Sequence, residues 1–300
     1  MQNIYYIDFS SYLKQLLLLM KPRVMSLVLF TCLVGIVIAP SQIDFFKSAI
    51  GLFFVAVGAG ASGILNMWYD ADIDKVMSRT CLRPLPTGRF KKKDALFAGV
   101  FLSFLSVISL YYFTNILSAF LLAFTIFFYF FIYTVWLKRS TPQNIVIGGA
   151  AGAFPPVIGW TIATNNLSIE PIILFLIIFI WTPSHFWALN IYKNEDYKKA
   201  KIPMLTVLKG EEVTKKNIIF YSIALFPFTL APFFLGFASY LNLMTVITFG
   251  LYYIFLSIKL IKTKEKKESF KAANKVFVFS IFYLFFIFAT ILIDNLVFLK

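Results

Sequence analysis

The sequence predicts an all-α, polytopic membrane protein: a bundle of about nine transmembrane helices with an active cavity on the cytoplasmic side. Three observations carry that prediction. Of the 300 residues, 60% are hydrophobic and only 14% are charged, with a mean hydropathy of +0.81; soluble globular domains hold ~45–50% apolar residues. Nine apolar stretches approach the roughly 20 residues that a helix needs to cross a hydrocarbon core of ~30 Å, the shorter ones with snorkelling ends. When loops are assigned alternately to two faces, all but Lys47 and Lys300 of the 28 lysines and arginines fall on one face, the asymmetry of positively charged inner loops. The same asymmetry assigns the formal charge of +14 to topology and anionic lipid, not to nucleic acid.

Taken in order, the N-terminus carries Asp8 and lacks a basic region followed by a small-residue cleavage site, so no removable signal peptide is expected. Residues 10–20 are expected along the inner interface. Lys21-Pro22-Arg23 then introduces the first span, and its cations either anchor topology or meet a phosphate. The spans are expected at 24–39, 45–65, 95–113, 116–137, 144–163, 171–191, 218–237, 241–260 and 276–298. The N-terminus and the loops 68–94, 138–143, 192–217 and 261–275 are then cytoplasmic and the C-terminus outside. A bacterial inner membrane is favoured because no transit peptide is visible. Gly58, Gly60, Ala61 and Gly63 let the second span approach its neighbours closely. Cys32 and Cys81 differ too much in depth to pair, and neither belongs to a metal motif.

Chemistry concentrates in residues 66–88. Asn66, Asp70 and Asp74 are spaced i, i+4, i+8, so at ~100° per residue they drift about 40° per step and share one helix face; Asp72 points elsewhere. Two carboxylates and an amide so placed repel one another unless a hard cation sits between them, and oxygen-only ligands suit Mg²⁺. Mg²⁺ suggests phosphate, which the guanidinium groups of Arg79 and Arg83 grip by bidentate hydrogen bonds. The segment reads as a diphosphate and metal clamp; the plain alternative is an ordinary charged loop. Residues 83–88, Arg-Pro-Leu-Pro-Thr-Gly, cannot be regular helix and are expected to turn back over the aspartates.

A second polar cluster follows the sixth span, with His185, Asn190, Lys193, Glu195, Asp196 and Lys199. Setting Leu65-Asn66 over Leu189-Asn190 brings Asp70 over Asn194 and Asp72 over Asp196, which suggests tandem halves at about 21–138 and 143–260 within a single domain of 1–300, the ninth span being added at 276–298. The expected metal ligands are then Asn66, Asp70, Asp74, Glu195 and Asp196. His185, the only histidine, is either a hydrogen-bonded packing residue or a functional group facing a cavity: an acceptor-binding donor, a base or a haem ligand. Most of the 37 Phe and 15 Tyr must pack or face lipid, though a cavity of aromatic faces can stabilise an allylic cation.

Several strings carry a resemblance: Lys21-Pro-Arg-Val24, Asn66-x-x-Tyr-Asp70-x-x-Ile-Asp74, Arg79-Thr80-x-x-Arg83-Pro-Leu-Pro-x-Gly88, Trp181-Thr-Pro-x-His-Phe-Trp-Ala-Leu189 and Asp196-Tyr-x-x-Ala-x-Ile-Pro-Met-Leu205. In this order they resemble the UbiA-like intramembrane prenyltransferases, and within them the protoheme IX farnesyltransferase (haem O synthase) branch. Ser184 stands where that branch has a second Pro, and Lys201 where it usually has Gly. The resemblance implies transfer of the farnesyl group of farnesyl diphosphate to a vinyl group of haem B, with Mg²⁺ as cofactor and the bilayer and a haem-processing membrane protein as partners. It implies Asn66, Asp70, Asp74, Arg79 and Arg83 in catalysis, and Lys21, Arg23, Arg83, His185, Asn190, Lys193 and Lys199 in substrate binding. Alternatives are the same chemistry on a quinone or chlorophyll precursor, an organic-anion transporter, whose charged site would lie nearer mid-membrane, and an assembly factor, which needs no aspartate face.

Overall fold

In hydrocarbon every backbone polar group must be satisfied within the chain, which leaves helices as the economical solution for apolar segments of this length. The computed structural model describes residues 9–41 and 44–299, and no strand occurs among them. Asp8 and Lys300, used above to read the termini, lie outside the described residues. Helix α1 (Phe9–Leu19) meets α2 (Pro22–Ile38) at a 60° bend across Met20 and Lys21. Then come α3 (Phe45–Tyr69), the short α4 (Ala71–Val76), α5 (Lys92–Phe113) and α6 (Ile116–Phe127), which runs on as a π-helix over Phe128–Leu137 into a last turn, α7 (Lys138–Ser140). The chain continues as α8 (Asn144–Ala153), α9 (Pro155–Thr164), α10 (Ile169–Tyr192), the short α11 (Asn194–Lys199), α12 (Leu205–Phe234), α13 (Tyr240–Lys262) and α14 (Lys266–Ile293), which ends in a π turn, Asp294–Phe298.

Among the described residues eight helices are long and apolar enough to cross a membrane, or nine with the bent α1–α2 pair, the number that the sequence predicts. The differences lie at the ends. Helix α3 runs to Tyr69 and carries Asn66 within it; α12 and α14 begin at Leu205 and Lys266, well before the apolar stretches at 218 and 276. Hydropathy marks the hydrocarbon and not the helix, which extends beyond it on polar residues. The fifth span is two helices, because Pro155 lacks the N–H that would continue α8 and starts α9 as its first residue.

Small residues set the tightest contacts. A methyl built on Gly35 would overlap the Pro156 carbonyl, and one on Gly159 the Cys32 carbonyl, so α2 and α9 pack backbone against backbone. One buried cluster joins these helices to α3 and α6 through Cys32, Val55, Leu122 and Ile158. The largest core lies among α10, α12, α13 and α14. A smaller one, built on Ile73, Met77, Tyr197 and Ile202, holds the α4 loop against α11 and so brings the two polar segments together. Both long spans that precede these segments, α3 and α10, end one residue before a six-residue helix.

Adding a methyl at Gly159, where only backbone faces it, should destabilise the fold by about 1–3 kcal/mol. The methyl of Gly152→Ala meets nothing within 4 Å and should be neutral or slightly stabilising through helix propensity. Thermal unfolding of the two variants in detergent checks this; equal shifts would remove the α2–α9 contact from the list of supports.

Candidate active site

The polar face of α3 begins where the helix ends. Regular geometry is interrupted at Asp70 (φ −84, ψ 9) before α4, yet the bonds from Asp70 N to Asn66 O (2.9 Å) and from Asp74 N to Asp70 O (2.8 Å) run through the interruption. Asn66, Asp70 and Asp74 therefore keep their common face. They are 4%, 1% and 2% exposed, whereas the side chain of Asp72 is 64% exposed. A buried carboxylate costs several kcal/mol unless paired, and cations from other segments supply the pairing. The Nη1 of Arg83 lies 3.0 and 2.8 Å from the two carboxylate oxygens of Asp74. Lys138 Nζ donates to Asp70 Oδ2, and Arg139 donates to both oxygens of Asp72 at 2.8 Å. Lys21 Nζ donates to Asn66 Oδ1 at 2.6 Å, while Asn66 Nδ2 donates to Asp70 Oδ2 (2.8 Å) and Thr134 Oγ1 (3.1 Å).

Lys21 is placed by the α1–α2 bend, where it takes a left-handed backbone conformation (φ 58) that non-glycine residues seldom adopt. Burial, then the Arg83 and Lys138 charges, pull its ammonium down to about 7 against the opposite pull of Asp74 and Asp70; an arriving anion would push it back up. Hydrogen bonds from Arg139 hold Asp72 below the usual carboxylate range. Burial raises the Tyr197 phenol, and Arg79 beside it opposes that rise.

Lys138, Arg139, Thr134 and Tyr129 are site residues that sequence reasoning missed. At ~100° per residue an α-helix would set Lys138 about 180° from Tyr129. The π-helix takes more residues per turn and brings Tyr129, Thr134 and Lys138 round to one side; Tyr129 O accepts from Thr134 Oγ1 at 2.8 Å. A run of aromatic residues ending in Lys-Arg was the only signal, and it reads equally well as the end of a span.

The second cluster departs from expectation. Asp196 accepts from Ser78 Oγ at 2.6 Å and so ties α11 to the α4 loop, but Glu195 is 70% exposed and lies 3.8 Å from Lys198. Successive helical residues do not face one point, so the Glu195/Asp196 pair cannot act as a double ligand as it stands. Among the described residues no three of His, Cys, Asp or Glu are grouped to hold a metal. Arg23, Arg79 and Lys199 are exposed, and Lys193 is partly buried beside the Tyr192 ring. His185 is stacked between Trp181 (4.2 Å) and Phe277 (4.6 Å), with Nδ1 2.7 Å from Ser280 Oγ, the geometry of a packing residue.

The donors nevertheless fit a hard cation. Asp70 Oδ1 is buried with no hydrogen bond, only the Arg139 guanidinium at 3.6 Å, and the side-chain oxygens of Asn190 and Asn194 are buried without a hydrogen-bond partner; oxygen atoms of this kind are Mg²⁺ ligands. Lys21, Lys138 and Arg83 hold the remaining oxygens of Asn66, Asp70 and Asp74. Beside Lys21 a partly open pocket of about 130 Å³ lies between α2, α3, α6 and α8–α9. Lys21 and Tyr129 are among its polar lining, and Val55, Leu122 and Ile158 among its apolar lining.

Residues 28–291 match the model of the UbiA prenyltransferase family. The chain is similar to a protein of Pelagibacter ubique named protoheme IX farnesyltransferase, with 57% identity over 94% of this chain and 93% of that one. In fold it is similar to a digeranylgeranylglyceryl phosphate synthase (TM-score 0.78, 19% identity, 94% and 98% of the two chains). It is also similar to a UbiA homologue from Archaeoglobus fulgidus bound to DMAPP and Mg²⁺ (TM-score 0.66, 17% identity, 92% and 99%).

Removing the nearer of the two cations at Asp70, Lys138 and not Arg139 at 3.6 Å, should be costly without metal or substrate present. Lys138→Met should destabilise the protein by about 3–5 kcal/mol, and adding Asp70→Asn should recover most of it. A double-mutant cycle on thermal unfolding measures the coupling; additive losses would mean that the pair does not carry the charge balance.

Proposed function

We propose a function from the premise that this chain belongs to the UbiA prenyltransferase family: it transfers the farnesyl group of farnesyl diphosphate to a vinyl group of haem B, giving haem O and diphosphate. The observation that carries this reading is the joining of a cation–carboxylate cluster to an apolar pocket at Lys21, which is the polarity of a prenyl diphosphate. The relatives' name supports haem as acceptor.

Asn66, Asp70 and Asp74 would hold Mg²⁺, with Asp196 tied to the α4 loop through Ser78. When bound, it neutralises charge on the diphosphate. Lys21, Arg83 and Lys138 sit where they can pass from carboxylate to phosphate oxygens, with Arg79 and Arg23 at the edge, through charge-assisted hydrogen bonds. Donors preorganised around the departing diphosphate favour breaking its C–O bond. The allylic cation is attacked by the electron-rich vinyl group, and water adds to the cation left on the acceptor, giving the hydroxyl and releasing a proton. The Tyr129 ring at the mouth of the cavity is placed to face the cation. Haem propionates would take cations of the basic face, Lys193 and Lys199 among them; His185 and Asn190 would stand on the acceptor side. The basic loops face the cytoplasm of a bacterial inner membrane.

Mass analysis of haem extracted from cells expressing the chain, beside cells expressing Asp70→Asn, tests donor, acceptor and metal face together. Farnesylated haem should appear with the intact chain and fall at least about 100-fold in the variant, the scale of loss when charge stabilisation is removed. Haem B alone despite confirmed expression would sink the acceptor assignment. Chelation of divalent metal in membranes should stop turnover, and Mg²⁺ should restore it. His185→Ala separates the roles of that ring: unchanged haem affinity and product formation would leave it a packing residue.

A further inference from the structure

We infer that Asp72, outside the proposed ligand set, positions Arg139 so that Asp70 Oδ1 stays free of a hydrogen bond and open to a divalent cation. The inference rests on the metal reading given above and adds a positioning residue to it. The two oxygens of Asp70 stand in different surroundings. Oδ2 accepts from Asn66 Nδ2 at 2.8 Å and from Lys138 Nζ. Oδ1 accepts no hydrogen bond, although Nη2 of Arg139 lies 3.6 Å away. Asp70 is 1% exposed, and attraction between opposite charges strengthens as water is excluded. An unrestrained guanidinium at this distance would close on the oxygen and form the charge-assisted bond that arginine and carboxylate favour.

Contacts on the other side of the guanidinium restrain it. Nη1 donates to Asp72 Oδ2 and Nη2 to Asp72 Oδ1, both at 2.8 Å. Nη2 also donates to the Tyr69 carbonyl at 3.3 Å, and the guanidinium carbon stands 4.7 Å from the centre of the Tyr69 ring. A terminal guanidinium nitrogen carries two N–H groups. Both of those on Nη2 are used in this way, and none is left for Asp70. Arg139 therefore lends its charge to the buried carboxylate without occupying the oxygen, and Asp72 offsets that charge toward an approaching cation. Support of the fold does not account for Asp72, because its side chain is 64% exposed and ion pairs at the surface add little to stability. Its direction does. Two residues beyond Asp70, on α4, it lies about 200° further round the helix axis and draws the arginine away from the face that Asn66, Asp70 and Asp74 share.

The test titrates the purified protein in detergent with Mn²⁺, beside an unreactive thio analogue of farnesyl diphosphate, and reads the free ion by electron spin resonance against protein-free micelles. Asp72→Ala should weaken Mn²⁺ binding by at least about tenfold, the scale on which the partners of a ligand tune metal affinity. Removing the arginine as well should reverse the loss, so that Asp72→Ala with Arg139→Gln binds close to the wild type; a double-mutant cycle isolates that interaction. The reversal is the decisive sign, because a pair that only supported the fold would lose affinity in both variants. Thermal unfolding of Asp72→Ala should shift no more than the loss of an exposed ion pair allows. Unchanged Mn²⁺ binding in Asp72→Ala, a double variant as weak as the single one, or a single variant that does not fold each overturns the positioning role only. A folded wild type that binds no Mn²⁺ overturns the metal reading, and this inference with it.

Discussion

Two carboxylates buried at the end of one span dictate what surrounds them. Asp70 and Asp74 are almost wholly removed from water, and the cost of leaving either charge unmatched, several kcal/mol, is comparable with the stability of an ordinary domain. Matching them draws cations from places distant in sequence, Arg83 from the loop after α4 and Lys138 with Arg139 from the turn that follows the π-helix, while Lys21 from the α1–α2 bend holds Asn66 beside them. Each contact fixes the height and rotation of a span end. The left-handed backbone of Lys21, a strain of about 1–3 kcal/mol, is held by the same requirement.

Such a cluster has its buried charges paired within the chain. On the proposed function a diphosphate would bring negative charge to Lys21, Arg83 and Lys138, and a divalent cation would bring positive charge to Asp70 and Asp74. Arriving together, the two exchange partners with the existing pairs and leave no buried charge unmatched. Arriving alone, either would strand one set. The expected consequence is positive coupling between metal and diphosphate, and coupling of this kind is reciprocal by thermodynamic necessity.

What was legible in the sequence was local. The common face of Asn66, Asp70 and Asp74 follows from helical period, and hydrogen bonds preserve it even where regular helix stops at Asp70. Spans followed from hydropathy, though their ends did not, because α12 and α14 continue into polar sequence. Lys201 also made sense once its backbone was seen: it stands where the resemblance expects glycine and has φ 53, a conformation that glycine adopts at little cost. Ser184, in place of a second proline, accepts from Tyr253 at 2.9 Å and donates to the Trp181 carbonyl, so it ties α10 to α13. Long-range pairing was not legible. Lys138 looked like a topology anchor, and Glu195 looked like a ligand because its type and place were right while its direction was unknown.

The π-helix between Phe128 and Leu137 also bears on how this chain can vary. Elsewhere in a bundle a residue gained or lost near a span end is absorbed by tilt or by the next loop. Here the count itself aims Lys138 at Asp70. Wound as an α-helix with the same residue count, the stretch would turn the lysine about 180° from Tyr129 and away from Asp70, while the aspartate lost its partner. The aromatic identities within the segment are free to drift as long as they pack, but the number of residues is not. Viable variants of this span should therefore differ by substitution and seldom by length.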